Sequence, residues 1–600
     1  MAIQFLNSMY RSPRRMYDAT AHKYVTMSND VLIYTTKNTE TLESELHIQE
    51  RPGINFYLST KPQPFHKVSI PLSEARKVHV AYVDRDKEIA QSLNCLDEYY
   101  NSAKNGSGYD FKKRLMKNPN LYLADMNIED YYKTCFIMKE GEAIANKFSM
   151  SFSDIEVDIS TLEDDFPEPS VAPSKINLIT TIYADTMDLY TFMLYDERVK
   201  DDIAWIVNNP DEYVKQYVDK DMREAGFKFH INAYRTEMDL IRAFFDVVHT
   251  HNPDFMAWWN MPFDMPTILN RMRRNGLNDE QIADIVCDPR VPKKFRYFKY
   301  IEDPKRKLYN AQDEDEEEEE EEDVSSKNSK QKPHPSRLVD WVEIPGITQH
   351  YDQLSMFSNL RKRTLYRSYK LDVIGEEFAG QKKLNLEDAG YNIKTVNIEN
   401  FKLFVAYNQR DVFVQYCIEK AQRDMYQYVV FSDNTRLSKG HQQSIIIKNK
   451  LMLYLLRAGE IMGNAIDYDV HSPIPGALVG RPELIEQGGI PIGGQPSYLF
   501  ENAIDLDFSS LYPSVIILFN IFKSSLFGHV TDIRIPDPTK PDGFISMGDG
   551  EGLFEMLQCI DQSIFTVCKE YFGLPSPEEV LASITGCAEK EALKRAGKVA

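Results

Sequence analysis

Asp154 and Glu156 stand two residues apart in Ser153-Asp154-Ile155-Glu156, inside a stretch that otherwise reads as core. On an extended strand such residues share a face and lie roughly 6–7 Å apart. That spacing lets two carboxylates share a pair of divalent ions, as hydrolysis of a phosphodiester by two metals requires. An acid pair buried without such compensation is costly, although a lone pair of this kind is more often an edge-strand coincidence. Two further blocks add to it. Asp264 ends Trp259-Asn260-Met261-Pro262-Phe263-Asp264, where an apolar strand gives way to a helix expected over Met265–Arg274. An Asp there can reach the same ions and Asn260 can bond a nucleotide, while the commoner use of such an Asp is to cap the helix. Tyr407 and Asp411 are four apart and so share a helical face; Asp411 would hold metal and the Tyr407 phenol would orient the attacking water. A fourth block, Asp507-Phe508-Ser509-Ser510-Leu511-Tyr512-Pro513-Ser514, ends an apolar strand in an acid. Asp507 can hold Mg²⁺, the adjacent amides and Ser510 can meet triphosphate oxygens, and Tyr512 can pack beneath the sugar. The first three blocks could cut a nucleic-acid chain and the fourth could extend one.

The elements that must position these residues follow from apolar spacing. Phe148, Met150, Phe152, Ile155, Val157 and Ile159 mark a strand between Lys147 and Ser160. A Pro-rich connection, Phe166–Pro173, leads to a second apolar strand, Ile176–Tyr183. Thr236–His251 has helical spacing, Asp254–Trp259 reads as a buried strand, and helices are expected over Asn400–Asp424 and Gln442–Ala458. Strands alternating with helices predict a doubly wound α/β layer. Residues before about 148 mix short alternating segments, such as Lys77–Val83, with polar loops and predict an α+β domain.

Composition bounds the rest. A chain of 600 residues is too long for one core and predicts about three or four domains. The formal charge of −21 looks wrong for a nucleic-acid binder, but Asp313–Asp323 is an unbroken run of eleven acids, and without it −10 remains. Local basic grooves rather than global charge would then hold the substrate. Two aromatic-interleaved basic stretches, Lys293–Tyr300 and Arg361–Lys370, suit a single strand. The segment Asp313–Ser336 reads as a disordered acidic insertion. Seven cysteines without C-x-x-C spacing predict neither a zinc cage nor a disulfide framework. The start lacks a signal-peptide pattern and no apolar run is long enough to span a bilayer, so a cytoplasmic location with no membrane partner is expected.

The three cutting blocks resemble, in order, the Exo I, Exo II and Exo III motifs of DnaQ-like 3′–5′ proofreading exonucleases. The resemblance implies a ribonuclease H-like fold, with Asp154 and Glu156 in the first motif, Asp264 in the second, and Tyr407 and Asp411 in the third. Asn260 and Phe263 are separated by two residues where most family B DNA polymerases have three; some protein-primed members share the shorter form. The block at Asp507 is similar to motif A of family B DNA polymerases, which implies nucleotide contacts for Phe508, Ser510, Leu511 and Tyr512. Pro475-Gly476-Ala477-Leu478-Val479 resembles that family's template-binding turn and implies DNA contacts at Gly476 and Ala477. Phe166-Pro167-Glu168-Pro169-Ser170 and Ser368-Tyr369-Lys370-Leu371-Asp372 are similar to the replicative polymerases of T-even-like tailed bacteriophages.

The resemblance covers roughly residues 149–520. It implies an α/β multidomain chain: an N-terminal domain over 1–148 with 425–466 packing on it, an exonuclease domain over 149–424 carrying the insertion 313–336, a partial polymerase palm over 467–552, and the start of the fingers over 553–600. Two Mg²⁺ or Mn²⁺ ions per site are implied, with primer-template DNA, single-stranded DNA and dNTPs as partners. No match to motif B or motif C follows Ser514, so a split polymerase completed by a second polypeptide is expected, with a shortened chain as the alternative and a sliding clamp as a further candidate partner. The rival readings are a free-standing exonuclease with a vestigial palm and a non-enzymatic replisome scaffold.

Overall fold

The computed structural model describes residues 2–18, 23–63, 67, 69–160, 162, 167–303, 335, 338–361, 368–431 and 443–464, together with four short strands between 526 and 557. The chain divides into two units, Met1–Ile466 and Asp467–Ala600. In the second unit, Leu526–Val530 pairs antiparallel with Phe554–Leu557, and Arg534–Pro536 with Phe544–Ser546. Gly476, Ala477, Asp507, Phe508, Ser510, Leu511 and Tyr512 lie outside the described residues, as does the acidic run. Among the described residues no helix is long and apolar enough to cross a membrane.

The first unit is built on a six-stranded sheet: β1 (Met150–Val157), β2 (Ile176–Tyr183), β3 (Asp188–Leu194), β4 (Lys228–Tyr234), β5 (Phe255–Trp258) and β6 (Gln349–Asp352), in the order β4-β3-β2-β1-β5-β6. β1, β2 and β3 run antiparallel in succession, while β5 lies parallel to β1 and β6 parallel to β5. The sheet is thus mixed rather than doubly wound. The reason is local: the four residues between Tyr183 and Asp188 close a hairpin, and only a longer crossover permits parallel pairing. The parallel β1–β5 pair has such a crossover, which ends in helix α1 (Glu237–His251).

Both faces of the sheet are covered. Phe152 of β1 packs with Leu178 and with Phe404, Val412 and Tyr416 of the long helix Phe401–Gln422. Ile155 and Val157, of opposite parity, pack on the other side with Phe244 of α1 and Ile268 of α2 (Met261–Arg274). Burial on both faces explains why all eight residues of β2 are buried and why, Asn177 apart, its sequence is an apolar and threonine run. Helix α2 begins four residues before the expected Met265. Pro262 falls in its first turn, where the missing N–H has no intrahelical partner to lose.

Two more helices complete the frame. α3 (Leu371–Ala379) packs on α4 (Phe401–Gln422) so closely that a Cβ on Gly375 would sit 2.4 Å from Val414 Cγ1 and 2.6 Å from the Gln381 carbonyl oxygen. The Asn400 side chain accepts from the Leu403 N–H and starts α4.

The earlier part of the chain adds a sheet of Ile3–Arg11, Val31–Asn38 and Ser44–Glu50, and another of Ala75–Ala81, Gly53–Ser59 and Leu121–Tyr122. A later segment returns to it. Helix α5 (Gln443–Arg457) precedes the strand Glu460–Met462, which pairs antiparallel with Ser69–Pro71. The Asn464 side chain then bonds the backbone at Ala124, Met116 and Leu121. A buried ion pair ties these strands to the six-stranded sheet: Lys37 Nζ lies 2.6 Å from Asp254 Oδ2, and the same oxygen accepts from the Ser149 N–H at 2.8 Å.

Candidate active site

On β1, Asp154 and Glu156 share the parity of Phe152 and therefore face α4. The β1–β2 ladder shifts register between Glu156 and Val157, at the last of these acids. Helix α4 brings Asp411 to meet them: one carboxylate oxygen from each of Asp154, Glu156 and Asp411 lies within 4.8 Å of the others. A seam of buried amides holds the helix there. Asn408 Nδ2 donates to Asp154 Oδ2 at 2.8 Å, Gln409 Nε2 to Thr191 Oγ1 at 2.9 Å, and Gln415 Nε2 to the Ser153 carbonyl at 3.4 Å. These amides explain why α4 shows little apolar periodicity despite being almost wholly buried.

Asp411 is buried, whereas Asp154 and Glu156 keep part of their surface open. Three acids in so little water resist ionisation together. Burial first and the Asp411 charge second push the Asp154 carboxyl up to about 7, against a partial offset from Lys383 and Asn408. Burial, Asp154 and Asp411 hold Glu156 well above the usual carboxylate range. Asp411 is likewise raised by burial, and Lys383 offsets it.

Lys383, which sequence reasoning passed over, is the cation of the site. Its ammonium lies 2.6 Å from Asp411 Oδ2 and 5.0 Å from the centre of the Tyr407 ring, and it hydrogen-bonds the Tyr407 hydroxyl. Burial opposes the lysine's charge, but Asp411 and Tyr407 outweigh it and hold its pKa well above normal. Nothing in Gln381-Lys382-Lys383 marks this lysine, because the segment has no periodic structure from which a face could be read.

Asp264 is buried in the first turns of α2, not at its cap; Asn260 occupies that position. It stands outside the group of three. Burial raises its carboxyl, with Asp154, Asp352 and Glu156 adding to the effect, while the Ile155 N–H donates to it. Asn260 and Phe263 line a groove of about 680 Å³ with Arg273, Phe298, Lys299 and Tyr300. The basic stretch Lys293–Tyr300 thus divides. Phe298, Lys299 and Tyr300 reach the groove, whereas Phe295 is core and Tyr297 lies beneath the Arg11 guanidinium at 4.9 Å. In the second stretch, Arg361 is spent on a two-pronged pair with Asp424 and on the Phe357 ring at 4.0 Å, so it is a structural cation; positions 362–367 lie outside the described residues.

Residues 124–311 match the family model of the DNA polymerase family B exonuclease domain. The matched exonuclease region contains β1 to β5 and α2, and so Asp154, Glu156 and Asp264; Lys383, Tyr407 and Asp411 lie beyond it. The match supports an exonuclease function, and exonuclease domains of this family use divalent metals. No curated protein matches this sequence.

The residues present fit such ions. Carboxylate oxygens are the hard donors that Mg²⁺ and Mn²⁺ prefer, and Asp411 Oδ1 is buried with no hydrogen-bond partner. An acceptor left in that condition costs free energy that a cation would recover.

Proposed function

We propose that the first unit is a 3′–5′ exonuclease that trims single-stranded DNA, within a family B replicative DNA polymerase of the T-even-like phage type. The observation that carries this reading is the convergence of Asp154, Glu156 and Asp411 from two elements, with Lys383 on the third acid. Two Mg²⁺ or Mn²⁺ ions held by these acids, with Asp264 beside them, would neutralise charge developing on the scissile phosphate and make water a stronger nucleophile. The chain's own groups do the rest. Asn408 and Lys383 orient the Asp154 and Asp411 carboxylates, and the Tyr407 hydroxyl, held by Lys383, would orient the attacking water. The groove past Asn260 and Phe263 offers rings for unpaired bases and Lys299 for a phosphate, a surface that suits single strands better than duplex.

Mg²⁺-dependent shortening of a labelled single strand is the direct test. Asp154→Ala with Glu156→Ala should lower the rate by several orders of magnitude, since the charge stabilisation is lost; undiminished trimming would sink the assignment. We further propose that Asp507, Ser510 and Tyr512 serve nucleotide addition. With motifs B and C supplied in cis or in trans, Asp507→Ala should abolish primer extension and spare trimming, and loss of both activities together would count against separate sites.

A further inference from the structure

We propose that Arg410 is a positioning residue for trimming: its guanidinium pins Gln381–Lys383 so that the Lys383 ammonium stays on Asp411. This rests on the exonuclease reading above. Arg410 precedes Asp411 on α4, so its side chain leaves the helix toward a different neighbour. That neighbour is the segment carrying Lys383. Arg410 Nε donates to the Lys382 carbonyl at 2.7 Å and Nη2 to Gln381 Oε1 at 2.7 Å. The opposite edge of the fork is anchored on Asp221, whose two oxygens lie 3.0 and 2.9 Å from Nη1. Only 9% of the side chain is exposed.

Apart from the Asp221 anchor and a longer approach of Nε to Asp219 Oδ2 at 3.4 Å, these contacts are directed at the two residues just before Lys383, not at the lysine's tip. Two bonds from α3 hold the same segment: the Lys383 N–H donates to Asp372 Oδ1 at 2.9 Å, and the Gln381 N–H to the Gly375 carbonyl at 3.0 Å. A lysine side chain loses roughly 1.5–2 kcal/mol of rotamer freedom when fixed, so an ammonium kept on one carboxylate needs a stationary root. Arg410 supplies that root with a planar fork that a lysine cannot reproduce. An arginine that merely glued α4 to the helix Lys220–Glu224 would need only the Asp221 contact.

The test is a double-mutant cycle on the full chain. Arg410→Met should lower kcat for Mg²⁺-dependent trimming of a single-stranded oligonucleotide by roughly 10- to 100-fold, the scale of an ångström-size misplacement, with KM within about twofold. Arg410→Lys should behave alike. In a Lys383→Met background either change should cost less than about twofold, because nothing is left to position. Amide hydrogen exchange at Gln381–Lys383 should accelerate in Arg410→Met without Mg²⁺ or DNA. Equal losses in both backgrounds, or unchanged exchange at Gln381–Lys383, would overturn the proposal. If Arg410→Met does not fold, Asp221→Asn loosens the same fork from its exposed side and takes its place in the cycle, where equal losses or unchanged exchange would again overturn the proposal. Failure of the exonuclease reading would show separately, as trimming indifferent to Asp154→Ala with Glu156→Ala, while the exchange measurement would still report whether Arg410 holds the segment.

Discussion

Asp154 shows how one residue couples metal, proton and fold. Its carboxyl, about 3.8 when free, is pushed up to about 7, by burial first and by Asp411 second. The native state therefore binds more protons than the unfolded chain between those values. Its stabilising share is fully present below about pH 4 and is lost as pH rises through about 7. Metal reverses the trend, because a bound cation favours the ionised form. In EDTA, melting temperature should fall from pH 5 to pH 8, and saturating Mg²⁺ should restore it at pH 8 far more than at pH 5; 100-fold excess over the dissociation constant is worth about 2.7 kcal/mol. An equal Mg²⁺ shift at both pH values would contradict this account. Asp154, Glu156, Tyr407 and Asp411 could be picked out in the sequence because strand and helix periods translate spacing directly into a shared face. Lys383 and Asn408 could not. One lies in an irregular segment, and the other looks like an ordinary polar helix residue until Asp154 is seen against it.

At the scale of elements, the site depends on how closely α3 approaches α4. Gly375 has no Cβ where one would meet Val414 and the Gln381 carbonyl. Gly375→Ala should force the helices or the Gln381–Lys383 segment to shift, at a cost on the order of 1–3 kcal/mol. Thermal melting and trimming should both decline, and a melting temperature at or above that of the unchanged protein would show that the contact relaxes freely. This proximity was not legible in the sequence, where Gly375 is one glycine inside Leu371–Ala379. Strand positions were legible, since Ile176–Tyr183 is mostly apolar, with Asn177 and two threonines, and Asp154 sits among alternating large residues. Strand directions were misread, because apolar runs do not record whether a connection is a hairpin or a crossover. The start of α2 was placed four residues late, at Met265, with Asp264 weighed as its cap; the helix instead begins at Met261, because the first turn has no N–H bond for Pro262 to remove.

For the whole molecule, the acidic run and the returning segment matter most. The segment containing Asp313–Asp323 lies in the chain between two paired strands, Lys299–Ile301 and Trp341–Glu343, with Ile301 opposite Trp341. Joining such ends by a shorter loop changes closure entropy little. Deleting Asp313–Ser336 should leave melting within about a degree or two and trimming nearly unchanged; a large change in DNA affinity at fixed salt would show that the acids act on the substrate. The return of Glu460–Met462 to Ser69–Pro71 has a different consequence, set on the ribosome. At about 5–20 residues per second, roughly 20 to 80 s separate the emergence of these two partners. The six-stranded sheet and α4 are complete well before the later strand appears. The part of the protein made first is thus among the last to close, with Ser69–Pro71 waiting as an open edge while its partner is still untranslated message.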